Sequence, residues 1–167
     1  TGQQVVDCVA GFGGDILSFS PDFEQIACHP NSFVQAEEAC PGFLDVAHDT
    51  LQALGIELDL RTLMQDQTRI IFSNYFVAQY RWWRQWLALA ERVVQIADTP
   101  GSALGARLNA RAGRPGAAAE SMKSLLLERL VSVLLERSGH NAVLGIDFGR
   151  APLSGPDAED LFGVMLG

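Results

Sequence analysis

Apolar residues recur at helical spacing in three stretches of the chain. They fall on one face over residues 42–54, form a wide stripe over 81–97, and surround most of the circumference over 122–137. Gly55 and Gly139 follow the first and third stretches, where glycine commonly ends a helix. The pattern therefore predicts three helices, the second and third of which are long.

The third predicted helix carries a single polar stripe. Glu128, Ser132 and Glu136 lie four residues apart, whereas most other positions between 125 and 135 are Leu or Val. Ser121 precedes this stretch and can accept a hydrogen bond from its first turn. We predict a capped helix that is mostly buried.

The run over residues 70–78 is the strongest strand prediction. It is almost continuously apolar, which is typical of a central strand that is buried on both faces. Ser73 and Asn74 interrupt it. Because buried polar groups need partners, this pair marks either a bulge or a ligand site.

Shorter elements flank these segments. Residues 15–19 predict a short buried strand and residues 142–148 a final strand, followed by a weak helix from about Asp157. Residues 5–10 fit either a strand or a short helix, since periodicity cannot decide over so few positions. Residues 11–14 predict a glycine-rich turn, because the sequence of a phosphate-binding loop is absent.

Proline and glycine predict two irregular segments. The first covers residues 28–42; the second covers 100–118 and contains a short helix at 103–109. A loop as long as the second is usually mobile or functional in a compact domain. Asp59 can cap a further short helix at 60–64.

Composition turns this pattern into a fold class. With 167 residues, 48% hydrophobic and 19% charged, the chain is expected to be one globular domain over 1–167. Its elements predict an α/β fold, in which a small central sheet of mostly buried strands is packed by two long helices. Because the chain begins at Thr1 and stops within an apolar segment, we expect a piece of a longer protein.

The charge balance excludes one class of partner. A net charge of −8 repels phosphate backbones, so we expect no nucleic-acid binding. Arginine clusters locally at Arg107, Arg111 and Arg114, which fits either a solvated loop or a phosphate-binding loop.

Cysteine usage and hydropathy indicate a location. Cys8, Cys28 and Cys40 are odd in number and widely spaced, which argues against a zinc site or a disulfide framework. We expect three small buried side chains in a reducing compartment. The sequence shows no membrane span and no signal peptide, so a cytoplasmic location is predicted.

Three acidic residues are candidates for general acid–base chemistry. Asp66 precedes the predicted central strand, where an acid can face a ligand crevice, although a cap or turn role is the more common one for such a residue. Glu37 belongs to a pair of adjacent acids in a predicted loop. Glu128, in the most apolar helix, must be paired or reach solvent, and its neighbour Arg129 is one possible partner. His29, His48 and His140 are scattered and are interpreted as structural or exposed.

Aromatic residues are concentrated around residue 80. Tyr75 and Trp83 belong to five Tyr and Trp side chains within twelve residues, close to Asn74. Aromatic faces stack on the C–H surfaces of sugar rings, while hydroxyls require polar partners such as an amide. The same rings also make ordinary cores, and both interpretations stay open.

Three short runs resemble one known family. They are Ser73-Asn74-Tyr75-Phe76-Val77-Ala78, Trp82-Trp83-Arg84-Gln85-Trp86-Leu87 and Leu127-Glu128-Arg129-Leu130-Val131. Their order is similar to that in bacterial glycosyltransferase-like proteins of capsule and lipopolysaccharide synthesis. Residues 15–21 also resemble the strand that precedes this half. The likeness is loose over most of the chain and closer over about seventy residues.

The resemblance implies a Rossmann-like fragment of a GT-A fold that transfers a sugar from a nucleotide-sugar donor to a glycan or lipid-linked acceptor. It implies functional roles for Asn74, Glu128 and Arg129, with Asp66 as a candidate base. Together with the residues singled out above, the substrate-binding candidates are Asn74, Tyr75, Trp83 and Arg129, and the catalytic candidates are Asp66, Glu37 and Glu128. The family's Asp-x-Asp metal motif is absent from this chain, so no metal ligand is assigned. Mn²⁺ or Mg²⁺ bound with the nucleotide sugar stays an open alternative.

A second function is compatible with the same residues. The chain is alternatively a non-catalytic binding or assembly domain whose aromatic helix face serves as a partner surface. Burial separates the two: three fully buried tryptophans would leave no obvious sugar platform, whereas one lining a cleft beside Asn74 would favour the enzyme.

Overall fold

The computed structural model describes residues 2–20, 28–72, 74–113 and 119–144. These form an α/β arrangement in which helices predominate. In chain order the elements are α1 (Gly2–Ala10), β1 (Ile16–Ser18), α2 (Ser32–Ala39), α3 (Phe43–Ala53), β2 (Phe76–Ala78), α4 (Tyr80–Asp98), α5 (Ala103–Asn109), β3 (Arg111–Ala112), β4 (Glu120–Ser121), α6 (Met122–Ser138) and β5 (Val143–Leu144).

The main sheet has three described strands in the order β2-β1-β5. β1 and β2 are antiparallel, with Leu17 opposite Val77, while β1 and β5 are parallel, with Leu17 opposite Val143. β3 and β4 form a separate antiparallel pair that the sequence did not predict. β1 and β5 are parallel, and β2 is antiparallel to both. Residues from distant parts of the chain therefore lie close together at each end of these strands.

The long helices α4 and α6 pack against each other and form much of the core. Helices α2, α3 and α5 complete it, with Phe33, Phe43 and Leu108 fully buried. The predicted long helices are confirmed, and so is the helix at 103–109. None of the described helices combines the length and apolarity that crossing a bilayer demands.

Capping explains where α6 begins and ends. The Ser121 side chain accepts the backbone N–H of Ser124 at 3.1 Å, and Gly139 follows the last turn with a φ of 66°. That φ lies in the left-handed region, which glycine adopts without steric cost. Both ends agree with the sequence prediction.

The central-strand prediction for 70–78 is wrong. Among the described residues of this run, only Phe76–Ala78 forms a strand, and it is an outer strand of the described sheet, beside β1. Ile71 and Phe72 are buried without a strand ladder. Their backbone N–H groups donate to side-chain hydroxyls, Ile71 to Ser132 Oγ at 3.1 Å and Phe72 to Ser20 Oγ at 2.6 Å. Side-chain hydroxyls therefore accept the backbone N–H groups that a neighbouring strand was expected to pair with.

Two further predictions need correction. The segment 28–42 was expected to be irregular, but Asn31 accepts the N–H groups of Phe33 and Val34, both at 2.9 Å, and starts α2. Asparagine is a favoured N-cap, and this signal outweighs the nearby prolines. The short helix predicted at 60–64 is instead a turn, within which Leu63 N donates to the Asp59 carbonyl at 2.9 Å.

Several other expectations are resolved. Residues 5–10 belong to helix α1, and the short strand at 15–19 is confirmed as β1. Of the final strand predicted at 142–148, Val143–Leu144 is observed as β5 and the remainder lies outside the described residues, as does the helix predicted from Asp157. Of the cysteines, only Cys40 is buried, whereas Cys28 is exposed.

Candidate functional site

The carboxyl ends of the parallel strands β1 and β5 lie beside the start of β2, so they meet at one end of the three strands. We call this end of the sheet the carboxyl edge. Asn74 and Tyr75 lie there, directly before β2. The Tyr75 carbonyl accepts the N–H of Phe19 at 2.8 Å, so this corner is fixed to the end of β1. In open α/β sheets, ligand crevices lie outside the carboxyl ends of the parallel strands.

Asn74 has an unusual backbone and an unusual side chain. Its φ of 58° makes it the one residue other than glycine with positive φ in the described part of the chain. Its Oδ1 is shielded from solvent and accepts no hydrogen bond from any described residue. Left-handed backbone and unsatisfied buried polar atoms both cost free energy, and both are concentrated at functional sites.

The aromatic residues divide between core and surface. Trp82 is buried, at 4% exposure. Trp83 is half-buried and stacks on Phe76, with ring centroids 4.6 Å apart, and Trp86 meets Trp83 edge-on at 5.9 Å. Tyr75 is exposed. The tryptophans are therefore not all buried, and the exposed ring beside Asn74 is that of Tyr75.

Arg129 is a structural anchor rather than an open binding group. It is buried in α6, and its guanidinium donates to the Ser32 carbonyl at 3.0 Å, the Leu125 carbonyl at 2.8 Å and Gln35 Oε1 at 3.3 Å. The same group lies 5.5 Å from the centre of the Phe43 ring. These contacts join α6 to α2 and α3, so Arg129 has its donors engaged inside the fold.

Glu128 lies next to this anchor in a half-buried position. Its Oε2 is 3.8 Å from Arg129 Nη1, and 34% of its side chain is exposed. Burial raises the pKa of Glu128; Arg129 opposes that rise and Glu120 adds to it. A carboxyl group with a raised pKa is a better proton acceptor than an ordinary surface acid.

Glu37 and Asp66 have local structural roles. The two carboxylate oxygens of Glu37 accept the N–H groups of Gly42 at 2.8 Å and Leu44 at 2.7 Å, at the start of α3. Asp66 Oδ1 accepts the hydroxyl and the N–H of Thr68, and these hydrogen bonds lower the pKa of Asp66. Glu37 therefore caps the start of α3, and Asp66 holds a turn.

The predicted site residues do not converge on one place. Asn74 and Tyr75 lie at the carboxyl edge. Glu37 and Arg129 belong to the packing of α2, α3 and α6. Asp66 lies at the other end of its segment, because the Thr68 carbonyl accepts the N–H of Ala142, which directly precedes β5.

Sequence reasoning missed a charged cluster at the opposite edge, where β1 and β5 begin. Asp15 Oδ1 forms an ion pair with Arg81, and Asp15 Oδ2 is 3.8 Å from His140 Nε2. The His140 ring meets Trp82 edge-on, with centroids 5.5 Å apart. Each charged residue lies within three positions of a strand end, so only the pairing of the strands reveals the cluster. His140 was interpreted as structural or exposed; it is exposed and lies beside Asp15.

One of the clustered arginines has a described partner, and the described residues hold no cluster of metal ligands. Arg107 pairs with Asp49 of α3 at 2.5 Å, which gives it a structural partner, while Arg114 lies outside the described residues. Within the described ranges, no group of three or more His, Cys, Asp or Glu side chains is placed to hold a metal ion.

Comparison of the chain with models of known protein families, with curated protein sequences and with solved structures gave no match. The candidate site therefore rests on its own geometry.

Proposed function

We propose that this chain belongs to a glycosyltransferase-like domain of Rossmann-like, GT-A type. In this proposal it takes part in transferring a sugar from a nucleotide-sugar donor to a glycan or lipid-linked acceptor in the cytoplasm. The observation that carries the proposal is Asn74, with its left-handed backbone and unsatisfied Oδ1 at the carboxyl edge of β1 and β5.

The chemistry of this corner suits a sugar. A sugar hydroxyl can donate to Asn74 Oδ1 once the side chain turns outward, which would satisfy an acceptor that has no described partner. The exposed ring of Tyr75 follows directly and offers a face for the C–H surface of the sugar ring. Trp83 supports the corner from beneath, through its stack on Phe76.

Among the acids, Glu128 best matches the properties of a general base. Glu37 uses both carboxylate oxygens on backbone N–H groups, and Asp66 has a lowered pKa. Glu128 is half-buried and has a raised pKa, so among these three acids it is the one we propose as a proton acceptor. Arg129, with its donors engaged, becomes the residue that holds α6 in place.

No metal-dependent step is assigned to this chain. It lacks an Asp-x-Asp motif, and its described residues offer no cluster of metal ligands. The described residues do not form a site that fits Mn²⁺ or Mg²⁺, so we derive no step through a metal ion.

A thermal-shift screen tests the proposal. A ligand that binds only the folded state stabilises it, by about 2.7 kcal/mol when the ligand concentration is a hundred times Kd. This stabilisation raises the melting midpoint. We expect a shift with glycan acceptors or nucleotide sugars, unaffected by Mn²⁺. Unchanged midpoints across nucleotide sugars and oligosaccharides of varied composition would contradict it.

One observation favours the alternative of an assembly domain. On α4, Tyr80 is 76% exposed and Leu87 is 49% exposed, although both are large and apolar. Exposed apolar side chains that line one helix face often mark a partner surface. If mutation of this face abolishes association and no sugar shifts the melting midpoint, the assembly function is the better account.

A further inference from the structure

The exposed flank of α4 carries a stripe of apolar side chains. Tyr80, Trp83, Leu87 and Val94 follow one another at spacings of three, four and seven, so they share a side of the helix. Tyr80 and Leu87 are exposed, and Trp83 and Val94 are half-buried. The opposite side of α4, with Trp82, Leu89 and Val93, is packed into the core.

Two opposite charges lie beside this stripe. Arg84 and Glu91 are both exposed, and neither has an ion-pair partner among the described residues. The Arg84 guanidinium lies 6.0 Å from the centre of the Tyr80 ring, so it remains beside the stripe. Arg84 lies three residues before Leu87 and Glu91 four residues after it, so the charges are nearly symmetric about Leu87.

This near-symmetry fits a second copy of the chain as the partner that binds the stripe. In an antiparallel pair of α4 helices related by a two-fold axis at Leu87, Leu87 meets its own copy and Tyr80 meets Val94 of the other copy. Arg84 then lies opposite Glu91, twice, once on each side of the axis. A two-fold interface requires such self-complementarity, since the same patch is used by both copies.

We propose that the chain associates with a second copy of itself through this stripe, with the two α4 helices antiparallel. The inference does not depend on sugar transfer, and it names the partner for the assembly alternative. A single pair of helices buries a small area, so the dimer is expected to form at micromolar rather than nanomolar concentration.

Charge reversal tests the pairing. In sedimentation equilibrium of the full chain, Arg84→Glu places Glu opposite Glu at two positions and should raise the dimer Kd about tenfold or more. Glu91→Arg should do the same, and Arg84→Glu combined with Glu91→Arg should restore the original Kd. Arg92→Glu, on the exposed side of α4 away from the stripe, is the matched control and should leave the Kd unchanged.

Crosslinking tests the direction of the helices. In a chain whose exposed Cys28 and half-buried Cys8 are replaced by Ser, Leu87→Cys should form a disulfide-linked dimer on mild oxidation. Tyr80→Cys alone should not, whereas Tyr80→Cys combined with Val94→Cys should. A crosslink by Tyr80→Cys alone would indicate parallel helices and overturn the proposal.

Several outcomes would reject the proposal. A chain that stays monomeric at several hundred micromolar has no such interface. A dimer whose Kd is unaffected by Arg84→Glu uses another surface. Because none of these variants touches Asn74 or Tyr75, a failed dimer leaves the sugar result unchanged, and a failed sugar screen leaves the dimer result unchanged.

Discussion

The hydroxyl of Ser132 accepts the backbone N–H of Ile71 at 3.1 Å, and both residues are fully buried. This bond connects the middle of α6 to the segment that leads to Asn74. Ser132 belongs to the polar stripe of α6, whose next member, Glu136, binds the side chains of Gln65 and Arg69 at 3.1 and 3.0 Å. This part of the stripe therefore holds the irregular chain before β2.

Removing the Ser132 hydroxyl should loosen this attachment. Ser132→Ala leaves the Ile71 N–H buried without a partner, which costs about 1–3 kcal/mol of unfolding free energy. Urea denaturation measures the loss. Ser124→Ala, at an exposed position of the same helix, is the control and should change stability by less than about 0.5 kcal/mol. Equal effects of the two variants would show that the hydrogen bond from Ile71 to the Ser132 hydroxyl does not contribute to stability as assigned.

Arg129 should prove more important for stability than any exposed arginine. Arg129→Ala removes three hydrogen bonds, two of them buried, and leaves the Ser32 carbonyl without this donor, with an expected loss of about 2–4 kcal/mol. Arg129→Lys keeps the charge but not the planar fork, so an intermediate loss is expected. Arg137→Ala, exposed at the end of α6, should be nearly neutral in the same denaturation experiment.

Glu128 predicts a pH dependence with a definite sign. Its raised pKa means that the folded state favours the protonated form, so its contribution to stability is present below the ordinary pKa of 4.5 and is lost as pH rises through the folded-state value. Glu128→Gln resembles the protonated form. We expect this variant to melt higher than wild type at pH 7 and equally near pH 4.

The control for this pH series is Glu57→Gln, at an exposed position. It should melt like wild type at both pH values. If Glu128→Gln melts lower than wild type at pH 7, the pairing of Glu128 with Arg129 outweighs the cost of burial, and the assigned direction of the pKa is wrong.

Glu37 should behave as a cap. Glu37→Ala leaves the N–H groups of Gly42 and Leu44 unpaired at the start of α3 and should cost about 1 kcal/mol. Glu38→Ala, at the exposed neighbouring position, should cost less. If the chain takes part in sugar transfer as proposed, that activity should tolerate both changes; loss of transfer in a Glu37→Ala protein that remains folded would return Glu37 to the catalytic residues.

The sequence predicted those parts of the fold that depend on local signals. Helical periodicity located α3, α4 and α6, and Ser121 and Gly139 marked the ends of α6 correctly. The segment 70–78 was mispredicted because an apolar run shows that a segment is buried but not what satisfies its backbone. Here the partners are hydroxyls of Ser20 and Ser132, more than fifty positions away.

The candidate site was predictable only in part. Asn74 was identified because it interrupts an apolar run, and the structure gives it two unusual properties. Glu37, Asp66 and Arg129 were interpreted as chemical groups because sequence does not show which backbone atoms surround a charge. The cluster of Asp15, Arg81 and His140 depends on strand pairing across more than a hundred positions, which no local pattern contains.

Substitutions of Asn74 distinguish a role in folding from a role in ligand binding. Asn74→Gly keeps the left-handed backbone at no steric cost and removes the amide, so its stability should be close to that of wild type. Asn74→Ala should lose about 1 kcal/mol, since alanine lacks the short polar side chain that lets asparagine tolerate this conformation. Thermal denaturation of the pair checks this order, and a glycine variant much less stable than wild type would show that the amide supports the fold.

The most direct measurement is calorimetric titration of the wild-type chain and the stable Asn74→Gly variant with the nucleotide sugar or glycan that produces the largest thermal shift. If Asn74 Oδ1 accepts a sugar hydroxyl, the variant should bind at least about tenfold more weakly, the equivalent of 1.4 kcal/mol. Equal affinity of the two proteins would contradict a sugar site at the carboxyl edge.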